Sequence, residues 1–243
     1  MDKLIFTAVS GAERTLRAQQ VRANNLANAD TPGFRANIEL ASAQAMTGSG
    51  YGYDDVHMSR SEADTISTRA GSVRETGRSL DVAVAGNGYL AVEWNDGEAY
   101  TRSGAIDIDA QGALSVNGRA LLGEGGPIVL PPHSAVDIAP DGTISVMPEG
   151  ATLTQVIDRL RLVSGEGGEL SKNEAGLIVS RNGDALAADQ NVTVRSRALE
   201  GSNVSAVEEM VAVMSLNRSF ELQMKMFKAS DSMNESGNRL LGS

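Results

Sequence analysis

The 243-residue chain contains no cysteine, which excludes disulfides, zinc thiolates, iron–sulfur clusters and thiol nucleophiles together. Such a chain can also enter an oxidising compartment without wrong pairings. Histidine is almost as scarce. His57 and His133 are the only two, and neither has a second imidazole or thiolate at metal spacing, so no metal centre and no cofactor is expected. Positive charge is thin: 21 Lys and Arg against 31 Asp and Glu leave a net charge of -10. With a pI near 4.7 and no basic run, the chain lacks what binding to nucleic acid or an anionic membrane requires. Long hydrophobic runs are missing too. Leu4 to Val9 is interrupted by Thr7 and followed by Ser10, Gly11, Glu13 and Arg14, too short for a membrane span or the apolar region of a cleaved signal. There is no G-x-S-x-G and no Ser, His and Asp set, and the carboxylates are scattered. No catalytic residue can be named, and neither an enzyme nor a small-molecule substrate is expected.

What the chain does have is apolar content, 41% of its residues, arranged in two different periods. At the start, Ile5, Val9, Ala12, Leu16, Gln19, Ala23 and Leu26 step by fours and threes, the 3.5-residue repeat of a coiled-coil seam. At the end, Ala206, Met210, Val213, Asn217, Phe220, Met224 and Phe227 repeat that stepping. Leu222, Met226, Ala229, Met233 and Leu240 form a second, rotated stripe. The first helix is predicted from Asp2 to Asn28, stopped by Asp30-Thr31-Pro32-Gly33. The last is predicted from Ser205, with Glu208 completing a capping box, to about Gly237. Ala and Gln at seam positions make the first helix weak alone, so both seams call for partner helices. Amides at Gln19, Asn24, Asn25 and Asn28 can fix register between helices.

Between the helices the period falls to 2. Leu80 to Val84, Leu90 to Trp94, Ile106 to Ile108, Leu114 to Val116, Ile128 to Leu130, Val136 to Ile138, Ile144 to Val146, Val156 to Val163, Leu177 to Val179 and Val192 to Val194 read as short antiparallel strands. Turns at Asn95-Asp96-Gly97 and Asn117-Gly118 separate some of them. Gly86-Asn87-Gly88-Tyr89-Leu90-Ala91 matches the G-x-G-x-x-A dinucleotide pattern, but a strand follows where the phosphate-binding helix should begin. Asp107 to Gly112 opens like a calcium loop and lacks a Glu at its twelfth position, Gly118, so a hairpin turn is expected. Asp54, Asp55, Glu62 and Asp64 read as a solvated acidic face.

The expected organisation is α+β: a helical domain from both termini (1–40 and 200–243), an extended crossing segment (41–75) and an antiparallel all-β domain (76–199). Asn24-Asn25-Leu26-Ala27-Asn28 with Thr31-Pro32-Gly33-Phe34 resembles the N-terminal signature of the bacterial flagellar axial proteins, the rod and hook subunits. Leu199 to Val204, Glu209-Met210 and Arg218-Ser219-Phe220-Glu221 resemble that family's C-terminal signature. Leu80 to Tyr89 and Tyr100 to Gly104 are similar to its β-domain. The likeness spans the chain and is strongest to proximal-rod subunits. Distal-rod or hook-type subunits, or a non-flagellar adaptor with helical partner-binding ends, are the alternatives.

The resemblance implies a structural subunit, exported unfolded through the flagellar type III apparatus without a cleaved signal. Such subunits stack helically with copies of themselves and other rod proteins, forming a shaft across the periplasm. The interface residues it implies, together with the seams, are Ile5, Val9, Leu16, Asn24, Asn25, Leu26, Asn28, Pro32, Gly33 and Phe34 near the first end. Near the second they are Asn203, Met210, Val213, Asn217, Arg218, Phe220, Glu221, Met224 and Phe227.

Overall fold

A computed structural model describes residues 2–39, 41–45, 57–61, 65–95, 97–151 and 153–241. The Gly-rich tract 47–53, the acidic positions Asp54, Asp55, Glu62 and Asp64, and Asp96 lie outside the described residues, as do the side chains of Ile5 and Leu240. The molecule is α+β: an N-terminal and a C-terminal helix contact each other and flank a central antiparallel β region. The chain divides into a helical unit (Met1–Ala27, Asn37–Asp64, Ser205–Ser243) and a β-rich unit (Asn28–Ala36, Thr65–Val204).

In the helical unit, helix α1 spans Asp2–Ala27 and α2 spans Ala206–Leu241. Ser205 starts α2 as expected of an N-cap: its hydroxyl accepts the Glu208 amide at 3.4 Å and its carbonyl the Glu209 amide at 3.0 Å. The helix runs four residues past Gly237, where the sequence suggests an end. An interior glycine costs only about 1 kcal/mol, and the Glu235–Arg239 pair, one turn apart at 3.9 Å, spans it. Of the crossing segment, Ala41–Ala45 and His57–Ser61 pair as antiparallel strands.

In the β unit, one five-stranded antiparallel sheet has the order Leu162–Ser164, Gly88–Trp94, Gly97–Thr101, Ile178–Ser180, Leu170–Lys172. Strand Gly88–Trp94, second in that order, is apolar on both faces. Leu90 and Val92 enter one buried cluster with Ile106, Leu121, Ile138 and Ile144, whereas Tyr89 and Ala91 enter a second with Tyr100 and Ile178. Period 2 therefore serves two cores here.

Smaller three-stranded sheets are built from Ile106–Ile108, Leu114–Val116 and Arg119–Ala120, and from His133–Ile138, Thr143–Pro148 and Gln155–Arg159. Asn117 and Gly118 both have positive φ, 51° and 75°, the type I′ turn that their sequence predicts. Asp109 caps the preceding turn by accepting the Gln111 and Ala113 amides, and the expected hairpin forms. The run from Val156 to Val163, which reads as one strand, is two. Leu160 and Arg161 carry the chain between sheets, their amides taken by the Gly142 and Leu122 carbonyls.

Candidate subunit interface

Polar groups cross the contact between α1 and α2, some of them at the seam positions themselves. Thr15 donates to the Gly11 carbonyl at 2.9 Å and to Gln223 at 3.3 Å. Gln19 donates to Asn217 at 2.8 Å, and Arg22 pairs with Glu209 at 3.1 Å. Asn25, fully buried, exchanges two hydrogen bonds with the Asn37 backbone and donates to Glu209 at 3.5 Å. On α2 this face is the heptad Glu209, Leu216, Gln223, Ser230, with Val213, Phe220 and Phe227 half-buried beside it.

Many of the apolar residues nevertheless point elsewhere. Val9 and Leu16 on α1 are 43% and 46% exposed. On α2, Val207, Val211, Met214, Leu222, Met226 and Met233 are all more than half exposed; helical periodicity puts Val207, Val211 and Met214 opposite the Glu209 heptad, with Leu222 to one side and Met226 and Met233 on the heptad's flank. Met210 and Met224 are also exposed, as are Asn24, Arg218 and Glu221, while Leu26 is half-buried. A helix with a satisfied polar face and a bare apolar one is built to take a second partner.

In the β unit the signature turn is held by one buried ionic node. Glu200, 2% exposed, pairs through one carboxylate oxygen with Arg35 at 2.8 Å and through the other with Arg102. The Gly71 amide adds a third donor at 2.8 Å. Arg102 also donates to the carbonyls of Val84, Gly86 and Gly88, so the Gly86-Asn87-Gly88 loop wraps a guanidinium with its acceptors. That is the reverse of a phosphate loop, which offers donors. Arg35 donates to the Thr68 and Arg69 carbonyls. Burial, then the neighbouring Arg102 charge, lowers its pKa.

Around this node the turn is fastened at every backbone step. The Gly33 amide donates to the Glu200 carbonyl at 2.8 Å. Gly33 has φ +69°, and a Cβ there would lie 2.3 Å from the Arg102 carbonyl carbon and the Ser103 nitrogen. Asn203, buried, accepts the Ala36 amide and donates to the Arg69 carbonyl, each at 2.7 Å, and its own amide reaches the Phe34 carbonyl. Lys172 lies 3.6 Å over the Phe34 ring and donates to the Arg35 carbonyl at 2.6 Å; burial lowers its pKa to about 8. Thr31 closes on Asn28 through backbone and side chain, with Pro32 half-buried.

Of the residues that sequence singles out, the structure thus uses Asn25, Asn217, Gly33, Phe34 and Asn203 within the chain. It leaves Val9, Leu16, Asn24, Met210, Arg218, Glu221 and Met224 on the surface. Arg35 and Thr15 carry the geometry without a sequence signal of their own, and Arg102, Glu200 and Glu209 enter the sequence reading only inside the family-like motifs, not as interface residues. The available signal for Arg102 and Glu200 was a charged side chain set among glycines and apolar residues, at Arg102-Ser103-Gly104 and Leu199-Glu200-Gly201.

Three family descriptions match the chain in order: "Flagella basal body rod protein" over residues 5–35, "Flagellar hook protein FlgE/F/G D1 domain" over 83–146, and "Flagellar basal body rod FlgEFG protein C-terminal" over 195–240. The flagellar basal-body rod protein FlgF of Escherichia coli K12 is 38% identical over 250 residues, covering 99% of both chains. The chain belongs to the flagellar basal-body rod protein family. FlgF of Salmonella typhimurium LT2 is 39% identical over 255 residues, again 99% of each. FlgG of Bacillus subtilis 168 is 30% identical over 122 residues, 45% of this chain and 46% of its own. This rod protein is a structural subunit and not an enzyme. Among its described residues, no helix is long and apolar enough to cross a membrane, and no group of three or more His, Cys, Asp or Glu could hold a metal ion.

Proposed function

We propose that this rod protein polymerises helically with copies of itself and with related rod subunits, as an FlgF-type part of the proximal rod. There it transmits torque from motor to hook across the periplasm, after export through the flagellar type III apparatus. The observation that carries this is the exposed apolar surface of α2. Val207, Val211, Met214, Leu222, Met226 and Met233 are left bare in two rows along the helix, although α1 is already in place. A surface repeated on every subunit and meeting a different surface on its neighbour builds an open filament in place of a closed ring. Full-length similarity to FlgF favours the proximal position. Val9, Leu16, Met210, Arg218, Glu221 and Met224 are exposed and can meet neighbours, whereas Asn25, Gly33 and Asn203 shape the subunit that presents them.

Val211→Asp with Leu222→Asp tests this on a face that the internal helix pairing does not use. The expected result is loss of swimming and of rods in isolated basal bodies, with the β unit unfolding at its normal temperature. Normal swimming would overturn the proposal.

A further inference from the structure

The chain's sulfur chemistry is concentrated where the exposed apolar rows are. With no cysteine in the sequence, thioethers are its only sulfur, and five of the nine methionines are Met210, Met214, Met224, Met226 and Met233 in α2. All five are exposed, Met214, Met226 and Met233 by 57%, 60% and 65%. Met214 lies in one exposed row with Val207 and Val211, and Met226 and Met233 in a second with Leu222. Met147 in the β unit is half-buried. Methionine suits a pliable contact because it is unbranched and polarizable, but a hydroperoxide converts it to a polar sulfoxide. The thioether sulfur gives up two electrons and takes one oxygen atom, the peroxide O–O bond breaks, and water leaves.

We propose that Met214, Met226 and Met233 form an oxidation site that decides whether a subunit can be incorporated. Each is open to hydroperoxide in the free chain and covered in the rod. A sulfoxide at any of them places a strong acceptor where only apolar atoms can face it, so an oxidised subunit is rejected. This rests on the helical assembly proposed above, and the two can fail separately.

Hydrogen peroxide is applied to the purified full-length chain and to isolated basal bodies, with oxygen uptake read methionine by methionine by peptide mass spectrometry. In the free chain these three methionines should oxidise at least tenfold faster than Met147. In basal bodies they should slow at least tenfold while Met147 stays within twofold. Equal rates for the three in both samples would remove the assembly itself; rates no faster than that of Met147 in the free chain would remove the oxidation site alone. Two triple variants then separate polarity from loss of sulfur. M214Q/M226Q/M233Q, which imitates the sulfoxide, should give at least tenfold fewer rods, and M214L/M226L/M233L a normal number. Equal rod numbers in the two would overturn the rejection step while leaving the protection intact.

Discussion

At the scale of single residues, Glu200 decides whether the β unit closes. It is the one carboxylate shared by Arg35 and Arg102, so removing its charge leaves two desolvated guanidiniums facing each other. Breaking such a pair costs about 3–5 kcal/mol, more than burying a well-matched pair gains. Glu200→Gln keeps the size and a hydrogen-bonding oxygen but not the charge. The β unit's thermal unfolding midpoint should fall by on the order of 10 °C, measured by near-ultraviolet circular dichroism in the full chain. A midpoint unchanged within error would show that the node contributes nothing to closure. Gly33 is the second such residue. Gly33→Ala would face both a positive φ and backbone atoms 2.3 Å from its Cβ. A loss of about 2–4 kcal/mol is expected, measured as a lower urea midpoint with unchanged slope.

At the scale of elements, the helices, the I′ hairpin and the strand positions were legible because each follows from a local period or a local turn residue. Asn117-Gly118 needs no tertiary information to choose its turn. The direction in which each helix turns its stripe was not legible. Val9, Leu16 and Leu222 suggest an inward seam by spacing alone and are exposed, yet Gln19 and Asn217 of the same seams meet between α1 and α2, beside Thr15, Arg22 and Asn25. Periodicity identifies a face but not its occupant, and a subunit that assembles has two faces to satisfy. The buried node stayed hidden for another reason. Arg35, Arg102 and Glu200 are far apart in sequence, and the glycine and apolar neighbours of Arg102 and Glu200 hint at burial without naming the partner. The division at Val156 to Val163 was hidden likewise, since an apolar run does not announce that Leu160 belongs to two sheets.

At the scale of the whole molecule, the two units differ in what holds them. The β unit has apolar clusters of fully buried side chains, whereas among the described residues α1 and α2 meet over hydrogen bonds and the Arg22–Glu209 ion pair, each contributing about 1 kcal/mol, with apolar side chains only half-buried beside them. In the isolated chain, amide hydrogens of α1 and α2 should therefore exchange on the order of a hundredfold faster than those of Gly88–Trp94. Hydrogen exchange with mass spectrometry checks this, and equal protection would mean that the helices are complete without neighbours.

The lone acid at position 200 has one more effect. It sits after nearly all of the β unit has been made, so a product cut short upstream keeps Arg35 and Arg102 and has no counter-ion for either. Such a fragment should close its interior less firmly and be cut faster by proteases. The node acts as a receipt that the polypeptide was made as far as the last strand, with α2 still to follow.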